Sequence, residues 1–195
     1  VVFGRLREQY EEAMRPLGRL LAKTGLPPNA FTVLSVLVAV AAGYEYGQTR
    51  AVEGSLLLLL SSVVDMFDGG VARATGRVTR FGATFDHVLD RYAEFFVVSG
   101  IIYGGYVDWT VGFFALFGML MASFTRAKAE SVGGLKSCTV GVAERQEKLL
   151  ILIGGSLISL FYRPILGYAV LLVGVLSHIT VLQRLHYTWL QTGGN

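Results

Sequence analysis

A chain of 195 residues that is 53% hydrophobic and only 16% charged, with a mean hydropathy of +0.54, fits one domain and is too apolar for an ordinary soluble one. The net charge of +3 does not come with basic residues interleaved among aromatics on a polar domain, so nucleic acid is excluded as a partner. Cys138 is the only cysteine, which excludes an intrachain disulfide.

At the N-terminus, Leu6, Tyr10, Met14, Leu17 and Leu21 recur at helical spacing among charges. That pattern predicts an amphipathic helix over residues 1–23 lying at the membrane interface, although an ordinary soluble helix carries it too. Gly25, Pro27 and Pro28 break it, and Asn29 is placed to cap the next helix. Apolar runs then follow over residues 31–46, 55–64, 93–107, 111–124, 149–162 and 165–181. A span needs about 20 mostly apolar residues, and the shorter runs reach that length if their polar flanks face the protein. The expectation is an all-α integral membrane protein, with six transmembrane helices forming a domain over residues 24–190. Glu53 and Gly54 restart the chain after the first span, and the second runs to Arg73. Gly76 marks the turn into a third helix over about 82–102, Gly104 and Gly105 turn into the fourth, residues 131–141 form a Gly-rich loop and Pro164 opens the sixth.

The basic residues orient this array. Arg5, Arg7, Arg15, Arg19, Lys23, Arg73, Arg77, Arg80, Arg126, Lys128, Lys136, Arg145, Lys148 and Arg184 fall on one side, and only Arg50 and Arg163 on the other. By the positive-inside rule both termini face the cytoplasm, in a multi-pass protein of the cell membrane.

Four carboxylates interrupt the apolar pattern. Asp65, Asp68, Asp86 and Asp90 sit in D-x2-D-G-x2-A-R-x8-G-x3-D-x3-D. A carboxylate at mid-bilayer costs about 2.5–3.5 kcal/mol, so such groups line a cavity or a site. On the second helix Asp65, Asp68, Gly69 and Ala72 share an arc of about 100°, and on the third Gly82, Asp86 and Asp90 share about 80°. A short turn makes the two helices antiparallel neighbours, so these faces can oppose each other around a divalent cation. Carboxylate oxygens suit Mg2+ and Mn2+, and two such ions clamp both oxygens of a phosphoryl transfer. Gly69 and Ala72 leave room for a ligand against the backbone, or serve close helix packing.

These residues resemble the signature of the CDP-alcohol phosphotransferases, membrane enzymes of phospholipid synthesis, at every fixed position and spacing. The resemblance implies six transmembrane helices, a homodimer and a cytoplasm-facing centre holding Mg2+ or Mn2+, with two ions expected. It implies that a CDP-linked lipid gives its phosphatidyl-type group to an alcohol and that CMP leaves. By position Asp65, Asp68 and Asp86 become metal ligands, with Asp90 near the metals as the general base. The CDP-lipid site takes Asp65, Asp68, Gly69, Ala72, Arg73 and Gly82.

Ser123 and Arg126 face one side of the fourth helix, Arg145 starts the fifth and Arg184 closes the sixth. Three guanidinium forks can converge on a phosphate, although topology alone also places basic residues at cytoplasmic helix ends. Residues 123–130 and 140–148 resemble the branch of the family whose acceptor is inositol 1-phosphate. There, Arg126, Arg145 and Arg184, with Ser123 nearby, are implied to hold the acceptor's phosphate. The stretch resembles the archaeal form of that branch most, so CDP-archaeol is the expected donor and CDP-diacylglycerol the alternative.

Arg91 and Glu94 lie one turn from Asp90, either supporting it or forming an ion pair of their own. His87, His178 and His186 lack metal-ligand spacing among themselves and read as surface or packing residues. Thr32 and Thr79 are assigned contacts with the nucleotide. Rival acceptors are glycerol 3-phosphate, serine or another polar alcohol. A rival of another class is a divalent-cation transporter, but apart from Glu45, Glu53 and Asp108 the outer halves of the spans are apolar.

Overall fold

The computed structural model describes Pro16 and residues 18–193. Besides a helical stretch at residues 18–22, six helices and no strand lie among these residues: α1 (Pro28–Gly47), α2 (Ala51–Thr75), α3 (Arg80–Tyr103), α4 (Trp109–Ser131), α5 (Arg145–Ile158) and α6 (Ile165–Gln191). Most of the amphipathic helix expected over residues 1–23 lies outside the described residues; residues 18–22 are helical.

Four helices, α1, α2, α4 and α6, are long and apolar enough to cross a membrane. The other two fall short for different reasons. Helix α3 carries Asp86, Asp90, Arg91 and Glu94 along its length, and α5 has 14 residues, about 21 Å of rise. The surface agrees with a lipid environment. Leu34, Leu37, Leu59, Leu60, Phe117 and Leu172 are exposed, whereas Ala39, Ala42, Ser55, Ser61 and Ser177 are buried. Where lipid replaces water, small and hydroxyl-bearing residues fill helix contacts and bulky apolar ones face out.

Helix ends follow local chemistry. Pro28 opens α1 at a position that needs no N–H, so Asn29 sits inside the first turn rather than capping it. Likewise α2 begins at Ala51, which puts Glu53 and Gly54 in its first turn. Gly76, at φ +67°, ends α2: its N–H donates to Arg73 O at 3.4 Å, and that of Arg77 to Ala72 O at 2.9 Å. This is the paired closure that a left-handed residue permits. Thr79 caps α3, its hydroxyl accepting from Gly82 N at 2.9 Å.

The chain divides into two compact units. The first contains the described residues up to Ala41 and Leu57–Glu94. In it α1 and α2 run antiparallel, joined by Ser61 Oγ donating to Ser35 O at 2.8 Å. The second contains Ala42–Leu56 and the described residues from Phe95 onward. In it α6 packs against both α4 and α5. Gly43 and Gly100 bring the α1 and α3 backbones into contact: a Cβ on Gly100 would stand 2.0 Å from Gly43 O.

Candidate active site

In the first unit the acids converge. Asp65, Asp68 and Asp86 each bring a carboxylate oxygen to within 4.8 Å of the others, and Asp86, His87 and Asp90 form a second such group. Two helices supply all five side chains, three residues apart on α2 and within five positions on α3. Asp68 accepts from Thr32 Oγ1 at 2.7 Å, and also from Gly69 N. Asp65 accepts from Ser35 Oγ at 3.2 Å. Asp90 is 6% exposed; Arg91 Nη2 lies 3.5 Å from its Oδ2, while Arg91 Nη1 lies 3.1 Å from Glu94 Oε2. Arg91 therefore does both things expected of it, pairing with Glu94 and flanking Asp90.

This donor set fits a hard divalent cation. Carboxylate oxygens from two facing helices suit Mg2+ or Mn2+.

The residues assigned to the nucleotide wall lie beside these acids in the same unit. The nearest atoms to a Cβ on Gly69 would belong to the Arg73 guanidinium, with Nη1 at 3.1 Å. Gly69 thus spares room for a cation of its own helix, not for a neighbouring helix. Packing is instead the role of Gly70, since a Cβ on Gly18 would meet Gly70 O at 2.7 Å. Ala72 sits one turn beyond Asp68 and is half-buried. A Cβ on Gly82 would lie 3.0 Å from Thr79 Oγ1 and 3.5 Å from Asn29 Oδ1, which shows where the Asn29 side chain goes.

The acceptor set lies in the second unit. Arg126 Nε and Cys138 N both reach Glu130 Oε1, at 3.0 and 2.9 Å. Arg184 is buried, and donates from Nε to Val140 O at 2.9 Å and from Nη1 to Ala122 O at 2.6 Å. Arg126 and Arg184 are near enough for their positive charges to repel. A shared anion would relieve that repulsion. Ser123 is half-buried on α4, one turn before Arg126, and Arg145 opens α5. Gly141 is close-packed: a Cβ there would lie 2.6 Å from Thr180 Cγ2.

Four residues escaped the sequence reading. His87 is exposed, as expected, yet stands in an acidic group; its place beside Asp86 was the available signal. Ser35 follows Thr32 by one turn, and buried Lys148 follows Arg145 by one turn. Glu130 lies one turn beyond Arg126. His178 stacks on Phe114 with ring centroids 4.4 Å apart, a packing role as expected.

A membrane-type helical chain with carboxylates from two helices drawn together fits the class of membrane enzymes with a divalent-metal site. The chain belongs to the CDP-alcohol phosphatidyltransferase family, whose pattern matches residues 26–182. It is accordingly a CDP-alcohol phosphotransferase, and the transporter reading has no further support. It is 34% identical to the archaetidylinositol phosphate synthase of Pyrococcus horikoshii, over 95% of each chain. It is 37% identical to that of Methanothermobacter thermautotrophicus, over 86% of this chain and 85% of the other. Among solved structures it resembles the phosphatidylinositol phosphate synthase of Mycobacterium tuberculosis at 30% identity. The form with CDP-DAG bound superposes with a TM-score of 0.81, covering 90% of this chain and 93% of that one. The form in complex with manganese and citrate gives 0.82, covering 90% and 88%.

Proposed function

We propose that the protein transfers the phosphatidyl-type group of a CDP-linked lipid, CDP-archaeol in preference to CDP-diacylglycerol, to inositol 1-phosphate with release of CMP. The observation that carries the reading is the convergence of Asp65, Asp68 and Asp86 within 4.8 Å, with Asp90 joined to them through Asp86. The relatives' activities support the acceptor, and identities of 34% and 37% to the two archaeal enzymes against 30% to the mycobacterial one support the donor.

In this mechanism Asp65, Asp68 and Asp86 would hold Mg2+ or Mn2+, with two ions expected and Asp90 near them. Bound there, the ions supply Lewis-acid charge neutralisation to the pyrophosphate. Gly69, Ala72, Arg73 and Gly82 line the nucleotide, and the Arg73 guanidinium meets its negative charge. Arg126, Arg145 and Arg184, with Ser123, hold the acceptor phosphate. Asp90 takes the proton of the inositol hydroxyl as its oxygen attacks the lipid-side phosphorus. The new P–O bond forms, the bond to CMP breaks and CMP departs. The catalytic domain is residues 24–190, with six spans, both termini and the site cytoplasmic, in a homodimer embedded among membrane lipids.

The test is CMP release from purified protein given each CDP-lipid, a panel of alcohols and either cation. The expected result is turnover with inositol 1-phosphate, fastest with CDP-archaeol, and loss of about 100-fold or more in Asp90→Asn with nucleotide binding kept. Turnover with glycerol 3-phosphate or serine in preference to inositol 1-phosphate would overturn the acceptor. Normal turnover by Asp90→Asn would overturn the base.

A further inference from the structure

Hydroxyls buried in apolar helices ordinarily donate to a carbonyl of their own preceding turn. Buried Ser156, Ser177 and Thr180 do so here, at 2.7–2.8 Å, and buried Ser61 reaches a backbone carbonyl of α1 instead. Thr32 does neither. Though only 1% exposed, its hydroxyl crosses from α1 to Asp68 Oδ2 at 2.7 Å. One turn along, the hydroxyl of Ser35, 3% exposed, has two acceptors: Thr32 O at 2.8 Å and Asp65 Oδ1 at 3.2 Å. Three residues up α1 thus match three residues down α2, and each hydroxyl meets one carboxylate of the cluster.

We infer that Thr32 and Ser35, both outside the acidic signature, are positioning residues that aim Asp68 and Asp65 at the divalent cation, an inference resting on the function proposed above. Three carboxylates within 4.8 Å repel one another, and side chains free to rotate would swing apart. A hydroxyl donor fixes one oxygen and lowers that repulsion. It occupies one of about four lone-pair positions on a carboxylate, so it does not by itself shut out a cation. Such outer partners of ligating carboxylates are worth about 10- to 100-fold in metal affinity. The two hydroxyls are unequal. Thr32 commits its proton to Asp68, whereas Ser35 divides its proton between a backbone carbonyl and Asp65, so Thr32 matters more.

The experiment titrates substrate-free protein in lipid nanodiscs with Mn2+, following the free ion by its EPR signal. Thermal unfolding in metal-free buffer serves as the folding control. Thr32→Val, which keeps the shape and removes the hydroxyl, is expected to weaken Mn2+ binding by about 10- to 100-fold, and Ser35→Ala by a smaller factor. Thr32→Ser, which restores the hydroxyl, is expected to stay within about threefold of wild type. A helix-joining role alone would lower the metal-free melting temperature without moving Mn2+ affinity. Thr32→Val binding Mn2+ as wild type does overturns the inference, as does Thr32→Ser failing as badly as Thr32→Val. If Thr32→Val does not fold, Ser35→Ala decides: unchanged Mn2+ affinity overturns the inference, and weakened affinity with an unchanged metal-free melt upholds it. Wild type that takes up Mn2+ but releases no CMP would sink the proposed function and leave the hydroxyls to be judged by the titration. Wild type that takes up no Mn2+ would sink the inference.

Discussion

Arg91 shows how one residue serves both charge balance and chemistry. Glu94 is 6% exposed, and Arg91 is the cation beside it at 3.1 Å, with a second nitrogen turned towards Asp90. Removing one member of a buried pair strands the other charge, at about 3–5 kcal/mol, whereas replacing both with apolar side chains is close to neutral. Arg91→Met is therefore expected to lower stability by about 3 kcal/mol, and the double variant Arg91→Met/Glu94→Leu to recover only part of it, because Asp90 still loses the Arg91 guanidinium. Chemical unfolding in detergent measures both; a double variant no more stable than the single would show that the pair is not what holds this turn. Individual residues were legible wherever one helix's spacing decides the outcome. Asp65 and Asp68, or Asp86 and Asp90, share a helical face whatever else the chain does. Ser35 was not legible, because its role depends on the register of α1 against α2, which a single helix does not encode.

At the scale of elements, glycines divide into those that admit a neighbouring backbone and those that do not. Gly100 faces Gly43 O, and neither backbone can yield as a side chain would. Gly154 has nothing within 4 Å of an added Cβ. Gly100→Ala is expected to destabilise by about 1–3 kcal/mol through overpacking. Gly154→Ala is expected to stabilise by about 0.5–1 kcal/mol through helix propensity. Opposite shifts in melting temperature check the pair, and shifts of one sign would refute the contact. The start of α4 is sensitive to pH in a defined direction. Asp108 accepts from Thr110 N at 2.8 Å and from the Thr110 hydroxyl, which holds its carboxyl below the ordinary value of 3.8. A lowered folded-state pKa gives stability that is complete above the ordinary value and fades as pH falls through the lowered one. Asp108→Asn caps without titrating, so its melting temperature should fall less than that of wild type between about pH 6 and about pH 3. An equal fall would remove Asp108 from the acid response. Helix existence was legible from apolar runs, but extent was not. The run over 55–64 marks only the apolar middle of α2, whose polar end, carrying Asp65 and Asp68, extends to Thr75.

For the whole molecule the open physical question is whether α5 crosses. Its 14 residues rise about 21 Å, short of the roughly 30 Å of hydrocarbon. Directly after it Leu160, Phe161 and Tyr162 are 67%, 91% and 54% exposed in a turn that ends at Pro164, the cap of α6. Aromatic side chains with a polar tip such as Tyr162 favour the membrane interface, so a crossing α5 would gain the missing depth from this turn. On that account the segments before and after α5 lie on opposite sides. Cys138 is buried, so Cys138→Ala supplies a thiol-free background for single cysteines. Arg50→Cys and Tyr162→Cys should react with a membrane-impermeant maleimide in intact cells. Arg77→Cys and Lys136→Cys should react only after permeabilisation. If Lys136→Cys and Tyr162→Cys labelled from the same side, α5 would be a re-entrant helix. The chain would then make five crossings, with its C-terminus opposite to the side where the basic residues put it, because one more short helix no longer reverses the direction of α6.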